Sequence, residues 1–155
     1  MNVLDDQRKT VHTAGGKQIS YDKLILATGS SSNRLEIPGN ELDGVASLYS
    51  LQDLQYIESK STNLKRVVIA GGGLIGIELA EMFHSRHIPV TFLVRESSYS
   101  NMLLPAEESE MVNREIREHG IDLRLHTELT EIKGDEGGRI KSTLTSSGEE
   151  IDCQF

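Results

Sequence analysis

Val67-Val68-Ile69-Ala70-Gly71-Gly72-Gly73-Leu74-Ile75-Gly76-Ile77-Glu78-Leu79-Ala80 decides the fold of this 155-residue chain. From Arg66 to Ala70 the residues after the arginine are continuously apolar, as in a strand buried on both faces of a parallel sheet. Gly71, Gly73 and Gly76 then match GxGxxG where that strand gives way to a helix expected to run to about His87. Gly71 permits the tight turn. Gly73 lets a pyrophosphate approach the backbone with no Cβ in the way, and Gly76 lets the helix pack closely on the strands. Ala80 extends that close-packed face. Phosphates would lie over free N–H groups at the positive end of the helix dipole. Gly71, Gly72, Gly73, Leu74, Ile75 and Gly76 are therefore candidate dinucleotide-binding residues. The competing reading, a glycine-rich turn in a nucleotide-free fold, does not account for the strand–turn–helix setting.

Downstream, Pro89 breaks the helix and Val90-Thr91-Phe92-Leu93-Val94 reads as a second buried strand. Pro105, with Glu107 and Glu108 beside the dipole, opens another helix, and Gly120 stops it. Ile121-Asp122-Leu123-Arg124-Leu125 alternates as a third strand. The order β-α-β-α-β is half of a doubly wound nucleotide fold. Three short strands around Leu129–Lys133, Arg139–Thr145 and Glu150–Cys153 follow, joined by turns at Gly134–Gly138 and Ser146–Gly148. The fold class is α/β: a Rossmann-like, three-layer dinucleotide-binding domain with a parallel sheet and an antiparallel β-meander. Upstream, Thr10–Thr13, Gln18–Tyr21 and the apolar run Leu24-Ile25-Leu26-Ala27 read as strands. Residues 30–46 read as loop, and Ser50 with Asp53 as a capping box for a helix to about Lys60.

The end of the second strand usually holds the adenosine ribose, through an acid for the 2′-hydroxyl or an arginine for a 2′-phosphate. Here it reads Val94-Arg95-Glu96. Val94 cannot bind a diol, Arg95 suits NADP(H), and Glu96 could reach a ribose; both charges could also simply solvate a loop. NAD and NADP stay open at this point.

Composition removes whole classes of function. Twenty-four acidic against sixteen basic residues give a net charge of −8 without a basic face, which argues against nucleic-acid partners. The lone Cys153 forms no disulfide or redox pair within the chain. The longest apolar run, Val67 to Ile77, is far short of the roughly 20 residues of a membrane span. With no apolar leader in Met1–Asp6, a cytoplasmic protein is expected. Glu81, His84 and His87 have a metal-like spacing, but two histidines beside a helix C-terminus explain it better. No catalytic Tyr/Lys, His or metal set is identifiable.

Tyr21-Asp22-Lys23-Leu24-Ile25-Leu26-Ala27-Thr28-Gly29-Ser30, followed by Ile37-Pro38-Gly39, resembles the "YDxLxxATG…PG" segment of FAD-dependent pyridine nucleotide-disulfide oxidoreductases. Gly71 to Ala80 is similar to the NAD(P)H loop of the same family, including its glutamate at Glu78. The resemblance implies that Ala27, Thr28 and Gly29 lie against FAD, that Gly71–Gly76 hold the NAD(P)H pyrophosphate, and that Glu78 stands near the nicotinamide. The family's earlier GxGxxG for FAD is not found before Tyr21, and the CxxC of its thioredoxin-reductase branch is not found here. The chain looks closer to NADH oxidase, nitrite reductase or ferredoxin reductase-like members than to that branch.

The expectation is thus a remnant of FAD-domain strands and connecting loop over 1–46 and an NAD(P)H-binding domain over 47–155, cut short at its C-terminus. The cofactors expected are NAD(P)H, with FAD in the full-length protein only. The fragment should be inactive and flavin-free. The expected partners are the rest of the FAD domain and a second copy, a homodimer through the N-terminal strands. A free-standing nucleotide-binding or sensing module is the alternative.

Overall fold

A computed structural model describes residues 3–155. The chain divides into two compact units, one ending at Ser31 and the other spanning Ser32–Phe155. The first holds an antiparallel meander of β1 (Val3–Asp5), β2 (Thr10–His12) and β3 (Gln18–Ser20). Val11 is paired with Leu4 on one side and Ile19 on the other. Gly16, at φ 78°, turns the β2–β3 hairpin, which Thr13 closes by donating its N–H to Lys17 O at 2.9 Å.

The expected strand at Leu24–Ala27 does not form: the segment is irregular and exposed, with Ile25 88% accessible. Apolar, β-prone residues make a strand only when a neighbouring strand takes up their backbone groups, and among the described residues none does. Residues 32–46 belong to the second unit by contact. Ile132 donates its N–H to Pro38 O at 2.9 Å, and Ile140 donates its N–H to Asp43 O at the same length.

In the second unit, α1 (Leu51–Lys60) starts at the expected capping box, Ser50 and Asp53 each bonding the other's backbone. The parallel sheet follows: β4 (Val67–Ala70), β5 (Val90–Leu93) and β6 (Asp122–Arg124), in that spatial order. Helices α2 (Leu74–His84) and α3 (Ala106–Glu118) are the crossovers that parallel pairing demands. α2 ends three residues before the expected His87. His87 sits at φ 61° and Ile88 donates back to Phe83 O at 3.1 Å, a Schellman closure. Gly120, at φ 81°, closes α3 in the same way through Ile121 and Ile116.

Because side chains alternate along a strand, β4 serves two cores. Val67 and Ile69 join Phe83, Phe92 and Ile116 in the helix-side core, and Val68 packs against the core of Ile132, Ile140 and Cys153. The latter belongs to the antiparallel meander of β7 (Leu129–Gly134), β8 (Ile140–Thr145) and β9 (Glu150–Asp152). Helices, parallel sheet and meander make the three layers. After β9 the chain runs along the edge of β4 that faces away from β5. There Gln154 donates its N–H to Arg66 O, and Val68 donates its N–H to Phe155 O. β4 is thus flanked by β5 on one edge and by the residues after β9 on the other, and a crevice opens beyond the carboxyl ends of the parallel strands.

Candidate nucleotide-binding site

The carboxyl end of β4 opens into a cleft of about 560 Å³. Its floor is Ala70 to Leu74. Arg95, Glu96, the loop Ser100–Leu103, Thr127–Leu129 and Leu35 line it as well.

The glycines build the floor by three different constraints. Gly71 stands at φ 124°, a backbone that a side chain would strain, and its N–H is held by Leu93 O at 2.9 Å. A Cβ on Gly72 would stand 2.8 Å from Cγ1 of Val94. Gly73 has extended backbone, and a Cβ there would meet nothing within 4 Å. It caps α2 without a side-chain hydrogen bond, no acid lies in the first turn, and the first intrahelical bond runs from Ile77 N–H to Gly73 O. The amides of Leu74, Ile75 and Gly76 thus precede any intrahelical acceptor, at the positive end of the helix. This open, donor-rich floor fits a pyrophosphate, an anion that needs backbone donors and no Cβ in its path.

Of the residues singled out by sequence, Gly71, Gly72, Gly73, Leu74, Arg95 and Glu96 meet in this cleft. Ile75 and Gly76 continue the same turn of α2, Ile75 outward and Gly76 buried. Val94 is fully buried beneath Gly72 and offers the cleft no polar group. Glu78 is exposed on α2 outside the lining, and its charge acts on Tyr99, whose phenol is pushed up first by burial and then by that carboxylate. Ala27, Thr28 and Gly29 belong to the first unit, exposed and outside any strand.

Arg95 Nε donates to Glu96 Oε1 at 2.8 Å. That bond holds the Glu96 carboxyl below the usual carboxylate range and raises the Arg95 guanidinium. Glu128, also in the cleft lining, adds to the field on Arg95. The Nη groups of Arg95 remain unpaired among the described residues.

Sequence reading missed the side walls. Ser100–Leu103 and Thr127–Leu129 carry no motif, and only the fold of β5 and β6 brings them into one cleft. The backbone gives one signal: Ser100 and His126, in the loops that follow β5 and β6, both stand at positive φ, 54° and 51°. Among the described residues there is no cluster able to hold a metal ion, and no helix long and apolar enough to cross a membrane.

The family described as pyridine nucleotide-disulphide oxidoreductase matches residues 2–155. A rubredoxin-NAD(+) reductase of Ectopseudomonas oleovorans is 34% identical over 98% of this chain and 39% of its own length. An NADH oxidase of Enterococcus faecalis is 30% identical over 91% of this chain and 32% of its own. Among solved structures, the ferredoxin reductase for the CYP199A2 system from Rhodopseudomonas palustris superposes with a TM-score of 0.88 at 25% identity, covering 100% of this chain and 38% of that one. The chain thus spans well under half the length of these relatives.

Proposed function

Because the chain belongs to the pyridine nucleotide-disulphide oxidoreductase family, we propose that its second unit is the NAD(P)H-binding lobe of a flavin-dependent oxidoreductase. The observation that carries this reading is the uncapped N-terminus of α2 over the open space at Gly73. The amides of Leu74 to Gly76 would hold the pyrophosphate, Arg95 and Glu96 the adenosine ribose, and Glu78 would stand toward the nicotinamide. When bound, the reduced nicotinamide supplies hydride and the flavin accepts it. The chain's own residues bind and orient the nucleotide, and the redox chemistry belongs to the cofactors.

The names of the relatives, reductases and an oxidase acting with NAD, support an oxidoreductase role for the longer protein. Ala27, Thr28 and Gly29 would face FAD there, and the apolar run Leu24–Leu26 would be covered by the rest of the flavin domain or by a second copy. This 155-residue chain is expected to purify colourless and without turnover.

A second reading, a nucleotide-binding module without flavin chemistry, is favoured by one observation: Ser32–Phe155 is a compact unit with its own cores. Titration of the chain with NADH, followed by calorimetry, tests the shared premise, and saturable binding with a micromolar Kd is expected. A stoichiometric flavin spectrum after purification would overturn the flavin-free expectation, and absence of NADH binding would overturn both readings.

A further inference from the structure

We propose that Asp43–Gly44 is a latent site of isoaspartate formation, and that the Tyr56 hydroxyl and the Lys60 ammonium keep it closed in the folded chain.

Asp43–Gly44 is the one place in the sequence where glycine follows an aspartate or an asparagine. Such a pair is labile because no side chain shields the glycine amide from the carboxyl group before it. The fold nevertheless demands both members. Gly44 is buried at φ 97°, and a Cβ on it would stand 2.5 Å from Cγ2 of Ile140 and 3.0 Å from the carbonyl oxygen of Gln154. Asp43 supplies the charge that gathers two cations: Lys60 Nζ lies 2.7 Å from Oδ1 and Arg139 Nε 3.6 Å from Oδ2. Its backbone is pinned as well, donating to Gly138 O at 3.0 Å and accepting from Ile140 N–H at 2.9 Å.

The reaction held back is attack of the Gly44 nitrogen on Cγ of the protonated Asp43 side chain. The N–Cγ bond forms, the Cγ–OH bond breaks, and the hydroxyl leaves as water with the amide proton. Water then opens the imide ring at the former main-chain carbonyl. The chain now runs through Cβ and Cγ, and the old carbonyl carbon ends as a free carboxylate. No oxidant or reductant takes part, and the product is an isomer of the original chain.

One hydroxyl holds both reacting groups. Tyr56, half-buried on α1, accepts the Gly44 N–H at 3.1 Å and donates to Asp43 Oδ1 at 2.9 Å. Lys60 Nζ donates to Oδ2 at 2.8 Å and lies 5.5 Å from the centre of the Tyr56 ring. The hydrogen bonds from Lys60 and then Tyr56 hold the carboxyl below the usual carboxylate range, so the acid form that the attack requires is scarce. Ring closure needs the carboxyl to leave α1 and the Gly44 amide to leave Tyr56, which confines it to local opening. Isoaspartate adds a carbon to the main chain between Asp43 Cα and Gly44 N, where the seat against Ile140 has no slack. The pair is thus a one-way record of opening at this point.

The test incubates the full chain near neutral pH, native and in urea, and measures isoaspartate at position 43 by peptide mapping with electron-transfer fragmentation. Wild type is expected to convert in urea and to stay unconverted when native. Tyr56→Phe keeps the ring, 6.3 Å from that of Phe155, and loses both hydroxyl bonds. It is expected to convert in native buffer at a rate approaching that in urea; should it not fold, Lys60→Met is judged by the same comparison. Gly76→Ala, crowded between Gly71 and Phe92, is expected to keep the wild-type rate, both variants being checked as folded by circular dichroism. A native rate unchanged by Tyr56→Phe, or raised equally by Gly76→Ala, overturns the part given to Tyr56 and Lys60. A native wild type that converts as fast as the chain in urea overturns the closure, and a chain in urea that forms no isoaspartate at 43 overturns the site.

Discussion

Gly76 and Phe92 meet across the helix–sheet interface: a Cβ on Gly76 would stand 3.0 Å from Cε2 of the Phe92 ring and run into the carbonyl oxygen of Gly71. Both residues are buried, and the obstructing carbonyl is backbone rather than the far end of a flexible side chain. Gly76→Ala is expected to destabilise the second unit by about 1–3 kcal/mol, the usual cost of overpacking a dense core. Urea unfolding checks this, and a midpoint at the wild-type value contradicts it.

Gly73 should behave in the opposite way. Its missing side chain faces open space and its backbone is extended, so Gly73→Ala loses at most about 1 kcal/mol of helix capping. NADH affinity is nevertheless expected to fall about ten-fold or more, the equivalent of one lost hydrogen bond to an anion. Calorimetry on the two alanine variants separates a glycine kept for packing from one kept for a ligand.

Arg95 spends its Nε on Glu96 and keeps its Nη fork free toward the cleft. A fork of that kind recognises phosphate in a bidentate manner. Arg95→Ala is expected to lower NADPH affinity about ten-fold and NADH affinity by less than about three-fold. Equal losses for both nucleotides would show that Arg95 serves the common part of the ligand, or only the loop.

Cys153 is fully buried, and burial, the largest influence on it, pushes its thiol up from 9.0 to about 11. Native protein at pH 8 should resist a thiol reagent that labels it at once in urea. A folded-state pKa raised above the unfolded one means that the neutral thiol stabilises the fold fully below about pH 9. That contribution is lost as pH rises through about 11. Cys153→Ala should flatten this alkaline decline in stability, and an unchanged pH profile would assign the decline to other groups.

Ile25, 88% accessible between the exposed Leu24 and Leu26, offers apolar surface for association. Sedimentation of the wild type is expected to show mass rising with concentration, and Ile25→Glu to abolish the rise without altering the unfolding of the second unit. A wild type that stays monomeric throughout removes the second-copy arrangement.

Legibility in the sequence followed the range of the interactions. The Ser50/Asp53 box, the continuous apolar strands, the Gly120 stop and the Gly71–Gly76 loop are local, and each could be placed from neighbours within a few residues. Leu24–Ala27 could not, because strand formation depends on a partner that the segment does not name. His87 closing α2 in a left-handed turn, a place usually taken by glycine, was equally hidden.

The sequence by itself determined the order of elements and the position of the glycine turn, since hydrophobic period and backbone freedom are properties of short stretches. Only the tertiary structure decided what faces that turn. Arg95, Ser100–Leu103 and Thr127–Leu129 come together because β4, β5 and β6 lie parallel and in register, in that spatial order. Asn113 takes up the Tyr99 N–H because α3 packs back onto the loop before it. Contacts between residues far apart in the chain leave no periodic mark on it, and the walls of the cleft are made almost wholly of such contacts.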